Sequence, residues 1–337
     1  MRRLRTRAGR LRRRIRFLRR RLRPFLAETA QSDPGMPMGR RLRHIIRGYH
    51  PLEASWYEQV RGSTEGCVSN YHRETGFTGL NGEHGYLLGN KLVFAHVMNN
   101  AGFPHPRVFG FTHRGTWHWL GDGRSGLAEA LASGGRAVVK PVNGRKGASI
   151  EFIAEISALD VPRPEDVLVS AFVQQADYAA RIFPGSLNTI RVLTVVTDGG
   201  APLVAATVHR FGSSATRGVD NFSAGGMVAR VHLETGVLDK AVWIGHRNRL
   251  VWSREHPDTR APIEAVQVPH WEELKRLALG MCAELPFLKY VGWDIAVTDQ
   301  GPVVIEGNAH PSLRFFQLYE PMLGDGRLRP FFAAHMR

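Results

Sequence analysis

Asp294, Glu306 and Asn308 are the residues of this 337-residue chain whose types and spacing suggest chemistry most directly. They lie on Val291–Pro311, which reads as two strands around a tight turn: Val291 to Thr298 is apolar and β-branched, Asp299-Gln300-Gly301 is turn chemistry, and Val303 to Ile305 begins the return strand. With those three turn residues as the loop, Thr298 faces Pro302, Ala296 faces Val304 and Asp294 faces Glu306. Opposed side chains on antiparallel strands have Cβ atoms roughly 4.5–5.5 Å apart, and two carboxylates that close repel unless a proton or cation lies between them. Asn308, two residues past Glu306, projects from the same face. Two carboxylates and an amide oxygen are hard donors suited to Mg²⁺, which completes its shell with phosphate oxygens and water.

Cationic groups of matching use occur earlier in the chain. Lys140 sits in an apolar strand before Asn143-Gly-Arg-Lys-Gly147, where Gly144, Arg145, Lys146 and Gly147 can offer backbone N–H groups and two cations to phosphate oxygens. The spacing is not that of a Walker A loop, and no helix follows at once. Lys91 opens a helical stretch. Arg191, inside Leu187-Asn-Thr-Ile-Arg-Val-Leu-Thr-Val-Val196, calls for an anionic partner, either a structural carboxylate or a ligand.

The elements that must position these groups alternate between helix and strand. Lys91–Asn100 reads as a helix, Val108–Phe111 and Trp117–Leu120 as strands, and Leu127–Ala132 as a helix. Ala137 onward reads as strand, Gly-rich turn and strand, with the return over Ile150–Ile156. Val167–Gln174, Leu187–Val196, Leu203–Val208 and Met227–Leu233 read as further strands, and Trp271–Leu285 as an amphipathic helix. Residues 240–266 read as irregular, and 313–336 as a closing helical segment. The class is α+β.

The net charge of +15 is unevenly placed. Residues 1–23 contain thirteen arginines and no acid, and without them 32 basic side chains face 30 acidic ones. Leu11, Ile15, Leu18 and Leu22 form a narrow apolar stripe through that arm, which suits an anionic membrane surface, a nucleic acid or simple solvation. No apolar region follows it as in a signal peptide. Two cysteines, Cys67 and Cys282, make neither a disulfide framework nor a zinc site, which fits a cytoplasmic setting.

Val139-Lys-Pro-Val-Asn-Gly-Arg-Lys-Gly147, Leu187-Asn-Thr-Ile-Arg191, Gly292-Trp-Asp294 and Val304-Ile-Glu-Gly-Asn-Ala-His-Pro311 together resemble the ATP-grasp superfamily, and most closely its sugar-transfer-associated, hexapeptide transferase-like group. The resemblance covers roughly residues 85–320 and implies two α+β subdomains clamping ATP. The domain plan is then an arginine-rich arm (1–25), a region of unassigned role (26–85) and an ATP-grasp domain (86–337) with a lid over about 136–175 and a core over about 176–337. The resemblance further implies that Lys91, Lys140 and the Gly144, Arg145, Lys146, Gly147 loop contact ATP, Lys140 also lying near the adenine. Ala171, Phe172, Val173 and Gln174 would meet the adenine edge. Asp294, Glu306 and Asn308 would hold one or two Mg²⁺ ions, with Mn²⁺ as a substitute, and Arg191 would touch the transferred phosphoryl group. The family's usual ribose-binding acid is replaced by Gln174-Gln175. Asn221, Ser223, Gly225 and Gly226, in a second Gly-rich turn, together with His310 and Arg314, are candidates for the acceptor side. The reaction implied is ligation of a small carboxylate to an amine or thiol through an acyl phosphate, at the inner membrane face in cell-surface polysaccharide modification. A phosphotransferase, or a nucleic-acid-binding protein with a degenerate ATP site, are the alternatives.

Overall fold

The computed structural model describes residues 36–336 except 78, 145–149, 198 and 217. The arginine-rich arm and the loop residues Arg145, Lys146 and Gly147 lie outside the described residues. The chain divides into two compact units. One comprises Met1–Leu80, Trp243–Trp252 and Ser312–Arg337; the other comprises Asn81–Val242 and Ser253–Pro311.

In the first unit, helices α1 (Met38–Ile46) and α2 (Pro51–Arg61) precede the part of the chain that carries the site. The Trp56 indole donates to the Asn248 carbonyl at 2.7 Å, and Gln59 exchanges two hydrogen bonds with Leu250. Gln317 accepts from the Val68 N–H and donates to its carbonyl, while Phe77 packs on Phe331 and Phe332. The structure thus groups the stretch before residue 80 with the C-terminal helices, a pairing of distant segments that no local pattern announces.

The second unit holds two sheets. Helix α3 (Lys91–Asn100) leads into strands β1 (Val108–His113) and β2 (Thr116–Trp119), helix α4 (Gly123–Ala132), and strands β3 (Ala137–Pro141), β4 (Glu151–Ile153) and β5 (Val167–Ala171). Their order is β2-β1-β5-β3-β4, with every neighbouring pair antiparallel. Side-chain alternation gives this sheet two faces. Ala137, Val139, Val167 and Val169 join Leu127 and Leu131 of α4 in one core. Leu168 and Val142 pack with Ala95 of α3 on the other. Lys140, next to Val139 and opposite Leu168, therefore points to the α3 face.

After the short helix α5 (Asp177–Ile182) come β6 (Thr189–Val196), β7 (Pro202–Phe211), β8 (Met227–Val231) and β9 (Leu238–Ile244). Strand β10 (Leu250–Ser253) and helix α6 (Trp271–Glu284) precede β11 (Tyr290–Thr298) and β12 (Gly301–Asn308); α7 (Arg314–Tyr319) and α8 (Arg329–His335) close the chain. Within the second unit the strands run β9-β8-β7-β6-β11-β12. α6 covers β6 and β7, its Leu274, Ala278 and Met281 fully buried at i, i+4 and i+7. The stretch 240–266, expected to be irregular, contains β10 and most of β9. Trp243 and Trp252 are half-buried while His246, Arg247, Arg249 and Arg254 are exposed, so the apolar alternation that marks a strand is missing.

The β11–β12 turn is tighter than the sequence suggests. Thr298 pairs with Gly301, Val297 with Pro302 and Ala296 with Val303, and a register shift after Ile295–Val304 restores Asp294 opposite Glu306. The loop is two residues, and Gly301 at φ +120° supplies backbone that other residues rarely adopt. Ile305 is the extra residue of a bulge, a device that re-aims side chains beside sites. Gly292, opposite Asn308, is needed for space: a Cβ there would lie 2.7 Å from Pro311 Cβ and 3.0 Å from Arg191 Cδ. Gly292→Ala is expected to lower the unfolding free energy by about 1–3 kcal/mol, as overpacking does. Urea denaturation of the variant beside the parent tests this; an unchanged midpoint would show that Pro311 and Arg191 yield freely.

Candidate functional site

Asp294 is paired across β11–β6 with Arg191 and across β11–β12 with Glu306. It is 1% exposed. Arg191 grips it with Nε and Nη2, the latter at 2.8 Å. Arg210 of β7 reaches the same carboxylate through Nη1 at 3.1 Å and clasps Asp220 through Nη2. Asp220 in turn accepts from the Thr189 N–H at 2.9 Å and from the Thr189 hydroxyl. The result is a continuous buried chain, Arg191–Asp294–Arg210–Asp220, with Glu306 beside Asp294.

The charges adjust to one another. Burial alone would raise the Asp294 carboxyl, but Arg191 and Arg210 outweigh it and hold the group at about 2. Burial opposes the Arg210 charge, and Asp220 and Asp294 more than offset that. Glu306 moves the other way: burial raises its carboxyl, and the neighbouring Asp294 raises it further. No described cation lies within ion-pair distance of Glu306. Its Oε1 lies 3.4 Å from Asn308 Nδ2.

Lys140 stands on β3 of the smaller sheet, and Lys91 opens α3, which packs against that sheet. The Lys91 ammonium donates to the Gly144 carbonyl at 2.8 Å, and its backbone N–H to Val142. Lys140 is 9% exposed. Burial lowers its ammonium to about 8; Glu306 opposes the fall and Lys91 adds to it. Burial lowers Lys91 as well, against the pull of Glu306 and Glu165. Burial, and then the Lys140 charge, hold His105 at about 4, a neutral ring accepting no place among the cations.

Strand β5 ends at Ala171, whose N–H donates to the Arg107 carbonyl at 2.8 Å, and Phe172, Val173 and Gln174 lead out of the sheet. Gln175 is otherwise engaged, donating to the Phe183 and Ser186 carbonyls and accepting from the Asn188 N–H. It serves as a structural clasp, so only Gln174 of that pair is exposed toward solvent.

Lys91, Lys140, Gly144, Arg191, Asp294, Glu306 and Asn308 all belong to the second unit. The acceptor-side candidates divide. Asn221 caps its own turn by accepting from the Ser223 N–H, and a Cβ on Gly226 would meet the Asn221 and Phe211 carbonyls at 2.9 Å. Gly225 sits at φ +102°. These residues thus have local structural reasons. His310 belongs to the second unit and is exposed, whereas Arg314 begins α7 in the first.

Two residues of the cluster, Arg210 and Asp220, escape the sequence reading. The signal was present for the first: Val208-His-Arg-Phe211 places an arginine in an apolar strand just as Ile190-Arg-Val192 does. Asp220 carries no such mark, because only folding brings it to Arg210.

As for a divalent cation, the donors fit in kind. Glu306 and Asn308 offer oxygens of the kind a hard cation takes, and the raised Glu306 carboxyl is one that a cation would relieve. Asp294, expected as a third ligand, is the counter-ion of two arginines in this structure, because those arginines share its face of the sheet. Asp294→Asn removes their shared anion and is expected to cost about 3–5 kcal/mol of stability, the range for breaking a buried pair. Its pH signature follows from the sign of the shift. With a folded pKa of about 2 against 3.8 unperturbed, the contribution is complete above about pH 4 and lost as pH falls toward 2. Denaturant curves of parent and variant should therefore converge in acid; a constant difference down to pH 2 would refute the assignment.

Among solved structures, ATP-grasp ligase PsnB, complexed with a minimal precursor, Mg and ADP, is 15% identical over 76% of this chain and 62% of its own, with a TM-score of 0.38. D-alanyl-alanine synthetase A from Vibrio cholerae is 12% identical over 74% and 64%, at 0.46. N5-carboxyaminoimidazole ribonucleotide synthetase from Thermotoga maritima is 12% identical over 71% and 49%, at 0.39. This chain thus spans under two thirds of each, and likenesses of this order add nothing to a family assignment. None of the curated proteins matches. The model of the sugar-transfer associated ATP-grasp family matches residues 159–327, half of the chain, and this stretch contains Arg191, Arg210, Asp220, Asp294, Glu306 and Asn308. This protein belongs to the sugar-transfer associated ATP-grasp family.

Proposed function

We propose that this chain is an ATP- and Mg²⁺-dependent ligase that joins a small carboxylate to an amine, or to a thiol, through an acyl phosphate. The observation that carries the reading is the meeting, within one unit, of Lys91, Lys140, Arg191 and Arg210 with the carboxylates of Asp294 and Glu306 and the amide of Asn308. Lys91 and Lys140 bind the phosphates of ATP, with Gly144 at the head of the covering loop. The backbone of Phe172, Val173 and Gln174 supplies donors and acceptors to the adenine edge. Glu306 and Asn308 hold the cation, joined by Asp294 as Arg191 and Arg210 turn to the incoming anion. The bound cation neutralises charge on the phosphates.

The chemistry requires no side-chain nucleophile. A carboxylate oxygen attacks the γ-phosphorus and ADP leaves; the amine nitrogen then attacks the acyl carbon, and phosphate departs with the electron pair of the broken C–O bond. The residues contribute orientation and fixed charge, which suffice for phosphoryl transfer. The Asn221–Gly226 turn, with His310 of the same unit, receives the acceptor. The family's name favours a sugar-linked acceptor, consistent with surface-polysaccharide modification on the cytoplasmic side.

Thermal denaturation with ATP and MgCl₂ tests the nucleotide site. At about 100 times its Kd, ATP should stabilise the protein by roughly 2.7 kcal/mol, and Lys140→Ala and Glu306→Gln should each abolish the shift. A shift that survives both variants would sink the assignment. A screen of carboxylate and amine pairs then reads ADP release: dependence on both substrates identifies the ligase, while release with a hydroxyl acceptor and no amine identifies a phosphotransferase. The Lys140 ammonium, lowered to about 8, also sets a pH dependence. It is charged below that value and neutral above it, so ATP affinity should fall as pH rises past 8. Lys140→Arg, which stays protonated, should lose that limb; if both proteins fall alike, Lys140 is not the titrating group.

A further inference from the structure

Helix α1, Met38–Ile46, presents an apolar stripe outward. Met38, Leu42 and Ile46, at i, i+4 and i+8, share one face and are 75%, 54% and 63% exposed. The opposite face is anchored. His44 is 1% exposed, and Arg40 bonds the Glu58 carboxylate of α2 through Nη2 at 2.6 Å and Nε at 3.1 Å. Arg43 is exposed along one flank of the stripe and Arg41 lies half-buried along the other, with Arg47 exposed at the C-terminal end of the helix.

We infer that α1 docks on an anionic lipid surface, its stripe entering the apolar boundary and its flanking arginines meeting headgroup phosphates. Charge selects the occupant. The first 47 residues carry seventeen arginines against two acids, which is the whole of the chain's net charge of +15. A second copy of α1, or the arm that precedes it, would bring like charge to like charge. A nucleic acid would leave Met38 and Leu42 in water. An interfacial bilayer accepts both the apolar face and the cations. No described helix is long and apolar enough to cross a membrane. This inference is independent of the nucleotide site.

The test uses the full chain with phosphatidylcholine vesicles, with and without phosphatidylglycerol, in a flotation assay. The parent should bind only the anionic vesicles. Leu42→Glu and the double variant Arg43→Glu/Arg47→Glu should each weaken binding roughly tenfold or more, since each cation near such a surface contributes measurably. Cys67 and Cys282 are buried, so a polarity-sensitive dye can be placed on Leu42→Cys; its emission should shift to the blue on anionic vesicles. Unfolding temperature and the ATP-dependent shift of Leu42→Glu should equal the parent's, separating this failure from that of the nucleotide site. Binding by both variants at parental strength, with no dye shift, would assign attachment to residues 1–35 and overturn the role of α1. A parent that is dimeric without lipid and becomes monomeric on Leu42→Glu would overturn it too.

Discussion

A carboxylate that is 1% exposed in the middle of a sheet has to be neutralised by something, and the structure is arranged around that need. Asp294 is neutralised by Arg191 from one neighbouring strand and by Arg210 from the next. Two guanidiniums on one carboxylate leave an excess of positive charge, and Asp220 takes it up. Asp220 belongs to the loop between β7 and β8, and its bonds to Thr189 draw that loop against the start of β6. The Gly-rich turn that follows at Asn221 is thereby held beside the same cluster. One electrostatic requirement thus fixes three strands and the loop that returns over them.

A second polar knot sets the exit from the smaller sheet. Gln175 and Asn188 share a set of bonds that includes the Phe183 and Ser186 carbonyls, and Asn188 Oδ1 also accepts from the Gly212 N–H at 3.1 Å. Buried amides with most of their capacity used specify one geometry, since any other leaves polar groups unpaired. The consequence lies just upstream. Phe172–Gln174 link the end of β5 to this knot. In the proposed function this short link is the stretch whose backbone meets the adenine edge.

Much of this was legible in the sequence where the signal was local. The helix at Lys91, the strands around Lys140 and Arg191, and the pairing of Asp294 with Glu306 all followed from apolar periodicity and turn chemistry. The pairing was reached by a different route from the one expected: a two-residue turn shifts the register, and the bulge at Ile305 shifts it back. A bulge leaves no compositional trace in Val303-Val-Ile-Glu306, so two changes that cancel could not be read. Arg210 was legible by the rule that singled out Arg191. Asp220 was not, because its partners lie ten and thirty-one residues away. The same holds for the stretch before residue 80, whose polar bonds to Asn248, Leu250 and Gln317 span most of the chain.

The competition at Asp294 bears on how the site is used. A cation ligand and an arginine counter-ion draw on the same lone pairs, and a carboxylate has about four of them. Under the proposed function, with Arg191 and Arg210 in place, a cation would meet Glu306 and Asn308 first. An anion that drew the arginines away would free Asp294 when more negative charge needs balancing. The polyanion and the cation are then expected to bind with mutual help, each removing what opposes the other, and the coupling must be reciprocal. Glu306 reinforces the effect, since its carboxyl is held up by burial and by Asp294, and an incoming cation lowers it. Under the proposed function, the cluster that neutralises one buried acid would also distribute charge when ATP and Mg²⁺ bind.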